Sequence, residues 1–184
     1  EEFGDEWCNK LMFQYRWGPL VDQKSSASRI ARAGLEGHRL RPFWPIAAVF
    51  LRRRMVPRMA FAGANPTNRP HLEASWHRTV EILEAHLADR PYLFGGRPAF
   101  GDFGIWGQVH QASTDVTAGG HLRESAPAVL RWVDRMSEPV AEGEFEPLDA
   151  LLPTLSPLLE ERIAGRFLPW SVANAKAYAA AEPQ

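Results

Sequence analysis

The sequence is poor in the features that would narrow its function quickly, and each shortage excludes something. A single cysteine, Cys8, allows no intramolecular disulfide. A stapled secreted scaffold is therefore excluded, and a reducing compartment fits. Net charge is nearly absent, with 21 Lys and Arg against 22 Asp and Glu. That removes the global electrostatic case for a nucleic-acid partner. The longest apolar run, about Phe43 to Leu51, is interrupted by Pro45 and reaches roughly half a membrane span. No signal-peptide pattern opens the chain, so no membrane partner is expected. Strand-forming residues are scarce too: Val, Ile and Thr number 20 against 43 Ala and Leu, and no Asn-Gly or Asp-Gly turn occurs. What remains is a cytoplasmic, all-α chain, read as one domain over residues 1–184.

Helical spacing organises most of it. Over Glu2–Trp17, Phe3, Trp7, Leu11 and Tyr15 step by four and make one stripe, with Phe13 and Trp17 forming a second. Lys24–Leu35 predicts a second helix, and Pro45 to about Met59 a third, broken at Pro57. Asn65–Asn68 is a loop by turn chemistry. From Pro70, the residues Leu72, Trp76, Val80, Leu83 and Leu87 trace an amphipathic helix ending near Asp89. Phe100–Thr114 predicts another, in which Gly101, Gly104 and Gly107 mark a face of close approach. Ser125 is an expected N-cap for the helix carrying Val129, Val133 and Met136. Phe145–Ile163 reads as two short pieces, cut by Pro153 and Pro157 and closed by Gly165, and a Ser171 cap introduces a last helix over Val172–Ala181. The chain opens at Glu1 without Met and closes on Glu182, Pro183 and Gln184, which reads as a cut from a longer protein.

No phosphate-binding glycine loop, Gly-x-Ser-x-Gly or His-Glu-x-x-His occurs. The six histidines lack ligand spacing. His77 follows Glu73 by four, a metal pair or an ordinary helix-face contact, and no third ligand is apparent, so no metal is expected. Cys8 is either a nucleophile or packing; neighbouring Asp5 and Glu6 would raise its pKa and favour packing. The Phe3–Tyr15 stripe is either core or the wall of an apolar pocket, with the Tyr15 hydroxyl as its polar handle. Eight arginines lie between Arg29 and Arg58, while Asp134–Glu161 holds eight acids against Arg135. The arginines form an anion- or nucleic-acid-binding patch, form a solvated helix surface, or pair with the acidic half.

The stretch Arg90-Pro91-Tyr92-Leu93-Phe94-Gly95-Gly96-Arg97-Pro98-Ala99-Phe100-Gly101-Asp102-Phe103-Gly104 resembles the signature of the C-terminal helical domain of the glutathione transferase superfamily. There a turn of this kind leads into a Ser/Thr-x-x-Asp capping box and the domain's central helix. Ala126-Pro127-Ala128-Val129 with Trp132 and Arg135-Met136 is similar to the family's next signature helix. The opening residues 1–17 and the segment Phe167-Leu168-Pro169-Trp170-Ser171 resemble a bacterial subgroup. In a capping box the N3 carboxylate accepts from the N-cap N–H at the positive end of the helix dipole. Here Ala99 stands at the N-cap, so Asp102 carries the half of the box that remains, a folding role.

The resemblance implies a division of labour. An N-terminal thioredoxin-like domain would bind glutathione and activate its thiol, and no βαβ segment in this sequence supplies one. The helical domain would wall the site for an apolar electrophile, which by position makes Trp7, Leu11 and Tyr15 the pocket residues. It implies glutathione as co-substrate, no catalytic residue within these 184, an inactive isolated chain, and a homodimer for the full-length protein. Two other readings stand beside this. One is a non-catalytic interaction module presenting Arg39–Arg58 to RNA or an acidic protein; the other is a carrier of apolar compounds.

Overall fold

A computed structural model of the chain describes residues 1–181, so Pro183, the last stop signal in the sequence, lies outside the described residues. The chain enters helix at Phe3. Phe3–Cys8 winds as a π-helix and runs directly into α1 (Asn9–Trp17), and the extended Pro19 ends it. α2 (Leu20–Gly34) starts at that proline, four residues before Lys24. α3 (Trp44–Met55) lies between 3-10 turns at Arg41–Phe43 and Pro57–Ala60, the second of them at the predicted proline break. α4 (Arg69–Leu87) carries Pro70 in its first turn, and the Asn65 side chain accepts from the Asn68 N–H at 2.9 Å in the loop before it. α5 (Phe100–Ser113), α6 (Val116–Ser125) and α7 (Pro127–Ser137) follow closely. Finally α8 (Leu148–Pro157), a π-helical stretch Leu158–Phe167 and α9 (Leu168–Ala181) form one uninterrupted helical run. Among the described residues there is no strand, only isolated bridges at Tyr92–Gly95 and Gly95–Phe145. The fold is all-α.

Several boundaries differ from those the sequence suggests. α6 was not expected, because Val116–Ser125 carries two glycines and no apolar stripe. Ser125 is the last residue of α6 rather than the cap of α7, and its hydroxyl donates to the His121 carbonyl. Gly165 ends nothing: it sits in the wider π-helical turn, where a Cβ would meet the Glu160 carbonyl. Ser171 likewise lies inside α9.

α5 is the axle of the molecule. It packs against the π-helical Phe3–Cys8 segment, α1, α6 and α7, while α4 covers α1, α7 and α8. The predicted close approach is real at one of the three glycines. A Cβ on Gly4 would fall 2.3 Å from the Gly104 backbone, and one on Gly104 would fall 2.8 Å from the Glu1 carbonyl. Gly101 instead faces the Phe94 ring, and Gly107 faces open space. The main core is built on Leu11, Leu83, Leu93, Val129 and Trp132, all essentially inaccessible to water. A smaller cluster around Trp17, Ala27, Ala31 and Ala48 holds α2 to α3. These layers bring the two ends of the described chain together, and that meeting opens a concavity beside Trp7 and Trp170.

Candidate functional site

The site forms where the first helical run crosses the last. Phe167 meets Phe3 edge-on at 6.1 Å between ring centroids, and Trp170 meets Trp7 edge-on at 5.9 Å. The Trp7 indole is fixed from below, since its Nε1–H donates to Ser75 Oγ on α4 at 3.0 Å. Beyond this aromatic junction opens a concavity of about 590 Å³. Trp7 and Trp170 form one side, Leu72 its floor and Phe61, 88% exposed, its rim. Lys10, His71 and Arg166 bring cationic or protonatable heads to the edge, against one carboxylate, Glu6. The Lys10 ammonium stands 4.4 Å over the Trp170 ring. Burial pulls its pKa down and Glu6 opposes that fall, so the ring face and the acid together keep a charge at a half-buried site.

The three pocket residues named from the sequence are not brought together there. Trp7 lines the concavity. Leu11 is fully buried in the core, 0% exposed, and Tyr15 lies buried one turn further along, against Trp76 at 5.6 Å between centroids. The stripe steps every four residues around a helix of 3.6 residues per turn, so it slides off any single wall within two turns. At Leu11 and Tyr15 it faces α4 and α5, and the pocket expectation for these two residues is corrected to core. Trp170 and Phe61, which do line the concavity, lie 163 and 54 positions from Trp7; Phe61 carries no signal in the sequence, and the segment that holds Trp170 carries none that joins it to Trp7.

Cys8, the candidate nucleophile, is not activated, and neither is the Tyr15 hydroxyl. Cys8 is buried, and burial pushes its thiol up to about 12, with Asp5 adding and the N-terminal ammonium opposing. Burial, then the Glu73 carboxylate, push the Tyr15 hydroxyl above its ordinary value. Instead Tyr15 ends a relay. Trp76 Nε1–H donates to His121 Nδ1 at 3.2 Å, leaving the His121 proton on Nε2. That proton faces His77 Nδ1 at 2.9 Å, and His77 Nε2 in turn meets Tyr15 Oη at 3.2 Å. The indole, which can only donate, sets both imidazole tautomers. Glu73 faces Arg69 and Gln14, not His77. Among the described residues no three His, Cys, Asp or Glu side chains are grouped for a metal ion.

Asp102 accepts from three donors and is fully buried. Oδ2 accepts from the Ala99 N–H at 3.0 Å; Oδ1 accepts from the Leu93 N–H at 2.8 Å and from Trp132 Nε1–H at 3.0 Å. Burial raises its pKa and these three donors oppose the rise. It touches neither the concavity nor any exposed group. A second buried carboxylate, Asp115, gathers Arg16 at 2.9 Å, Arg29 at 2.6 Å and Ser26 at 2.8 Å. Sequence spacing gave no signal for it, because its partners lie 86 to 99 residues away.

In comparisons with known proteins, residues 55–135 match the family described as glutathione S-transferase, C-terminal domain. No curated protein and no solved structure matches the chain.

Proposed function

We propose, from the match of residues 55–135 to the glutathione S-transferase C-terminal domain family, that this chain is the helical part of a glutathione transferase-like enzyme. In this reading the Trp7–Trp170 concavity holds the apolar, electrophilic co-substrate. A thioredoxin-like domain not contained in these residues binds glutathione and holds its thiol ionised. The thiolate sulfur then bonds to the electrophilic carbon as the leaving group departs with its electron pair. The helical part contributes positioning: aromatic walls that bury the ring of the co-substrate and exclude water from it. The supporting observation is the concavity itself, about 590 Å³ with two indoles on one wall.

A nitroaromatic electrophile such as 1-chloro-2,4-dinitrobenzene tests the reading, because it quenches tryptophan fluorescence when bound nearby. Saturable quenching that Trp7→Ala weakens is the expected result, with no conjugation of glutathione by the 184 residues alone. Conjugation by this chain unaided would overturn the division of labour. Homodimerisation and a cytoplasmic location belong to the same proposal, on the strength of the family alone.

A further inference from the structure

The near-zero net charge conceals a long segment of one sign. From Gly37 to Leu72 there are 36 residues, seven arginines and no acid. Arg69 pairs with Glu73 at 2.7 Å. Arg39, Arg41, Arg52, Arg53, Arg54 and Arg58 form no ion pair among the described residues. A solvated surface ordinarily mixes the two signs, so six uncompensated guanidiniums on one segment imply a polyanionic neighbour.

The same segment exposes the apolar residues a soluble surface avoids. α3 is apolar on two sides. Trp44, Ala48, Leu51 and Met55 turn inward onto α2. On the opposite side Ile46 is 68% exposed and Phe50 66%, with Phe43 and Val49 about half exposed. At 100° per residue Ile46, Phe50, Arg53 and Arg54 share one face of α3, and exposed Phe43 stands in the turn just before it. Pro45, Ile46, Val49, Phe50 and Arg53 line one shallow groove. The outward face is thus an apolar ridge that ends in arginines, on a helix of 12 residues.

We propose that this face of α3 docks on an anionic lipid surface. Phe43, Ile46, Val49 and Phe50 enter the boundary between headgroups and acyl chains, and the arginines meet lipid phosphates. No helix among the described residues is long and apolar enough to cross a membrane, and none is needed, because α3 lies in the interface plane. The proposal revises the expectation of no membrane partner, which rested on the absence of a span. Charge decides against a second copy of the chain: a two-fold contact would set the six unpaired arginines against themselves. The ridge decides against nucleic acid, whose phosphates attract arginine but offer no apolar layer to bury Ile46 and Val49. The inference stands independently of the proposed co-substrate site.

Flotation of the chain with lipid vesicles tests it. Vesicles containing phosphatidylserine are expected to carry the protein at least about tenfold better than phosphatidylcholine alone, with the advantage fading as salt rises toward about 0.5 M. Arg53→Glu with Arg54→Glu should weaken binding by about fivefold per arginine or more. Ile46→Ser with Phe50→Ser should weaken it even at low salt; both residues are exposed, so an unchanged circular dichroism melt is expected to verify folding. Absence of vesicle binding overturns the proposal, as does binding that neither double variant reduces. Retention by RNA or heparin without vesicle binding overturns it equally, and so does a solution dimer that Ile46→Ser with Phe50→Ser dissolves.

Discussion

At the scale of single residues, the buried carboxylate and the buried imidazole beside the 92–96 turn make separable predictions. Asp102 accepts from three donors that have no other partner, the Leu93 and Ala99 amides and the Trp132 indole. Asp102→Ala strands all three in a dry interior, at about 1–3 kcal/mol for each donor left unmatched and less where the site relaxes. A net loss of about 3 kcal/mol corresponds to a fall of about 6–12 °C in Tm for a chain of this size. A melt within 2 °C of the parent would sink the assignment. His86 sits behind the same turn: its Nε2–H donates to the Leu93 carbonyl at 2.8 Å, so Nδ1 accepts from Thr154 Oγ1 at 2.8 Å. Burial lowers its pKa from the ordinary 6.5, Arg90 adding and the Leu93 carbonyl opposing. The folded state therefore binds fewer protons than the unfolded chain as pH falls. The associated stability is complete above about 6.5 and is lost toward the lower folded value, with a slope of at most about 1.4 kcal/mol per pH unit. His121, lowered by burial and by His77, acts in the same sense. Urea melts between pH 7 and pH 5 should show the decline, and His86→Leu should flatten it; equal slopes in the two proteins would exclude His86 as a contributor.

At the scale of elements, three successive helices begin on a buried or half-buried carboxylate, only one of which is local. α5 starts on its own Asp102. α6 starts on Asp22 of α2, which accepts from the Thr117 amide at 2.9 Å and from its hydroxyl. α7 starts on Glu84 of α4, whose oxygens accept from the Ala128 amide at 2.8 Å and the Val129 amide at 3.0 Å. An acid at the N-terminus satisfies orphan amides and complements the dipole, typically for about 1–2 kcal/mol. Glu84→Ala is accordingly expected to lower Tm by about 2–8 °C, and Ser125→Ala to leave it within about 1–2 °C. The reverse order in differential scanning calorimetry would restore the cap that the sequence suggests. This contrast also explains what could be read in advance. α1, α4 and α7 are legible because their apolar periodicity is a local property, and α5 because the turn before it and its glycine spacing are. Asp102 is legible because its partner Ala99 is three residues away. Caps supplied from 44 or 95 residues away leave no local trace, so α6, which has no stripe either, was invisible. The prolines and Gly165 misled for a related reason: Pro153 and Pro157 lie inside a helical run that tertiary packing carries through them, since Leu151, Leu155 and Leu158 are all buried.

At the scale of the whole molecule, the concavity exists because the first helical run is held between α5 on one side and the last helical run on the other. The clamp has two parts. The Gly4–Gly104 contact brings backbones together without an intervening side chain. The Phe3–Phe167 and Trp7–Trp170 edges then hold the returning helix at the far side. Trp170 is half-exposed and Trp132 is fully buried, so these two tryptophans separate cavity from core. Trp132→Ala empties a packed interior and orphans an Asp102 oxygen, at about 3–5 kcal/mol. Trp170→Ala removes an aromatic wall and the ring beneath Lys10, at about 1–2 kcal/mol, the aromatic contact and cation–π interaction of a partly exposed side chain. If the concavity holds the co-substrate, Trp170→Ala should weaken nitroaromatic quenching of the remaining tryptophans about tenfold, while Tm falls by no more than about 2–8 °C. Lys10→Met, which retains an aliphatic stem beside the ring, should preserve most of the affinity for an uncharged nitroaromatic and selectively weaken an acidic one. Unchanged affinity in Trp170→Ala, measured on a protein that still melts cooperatively, would place the ligand elsewhere and leave the junction of first and last helices a purely structural clamp.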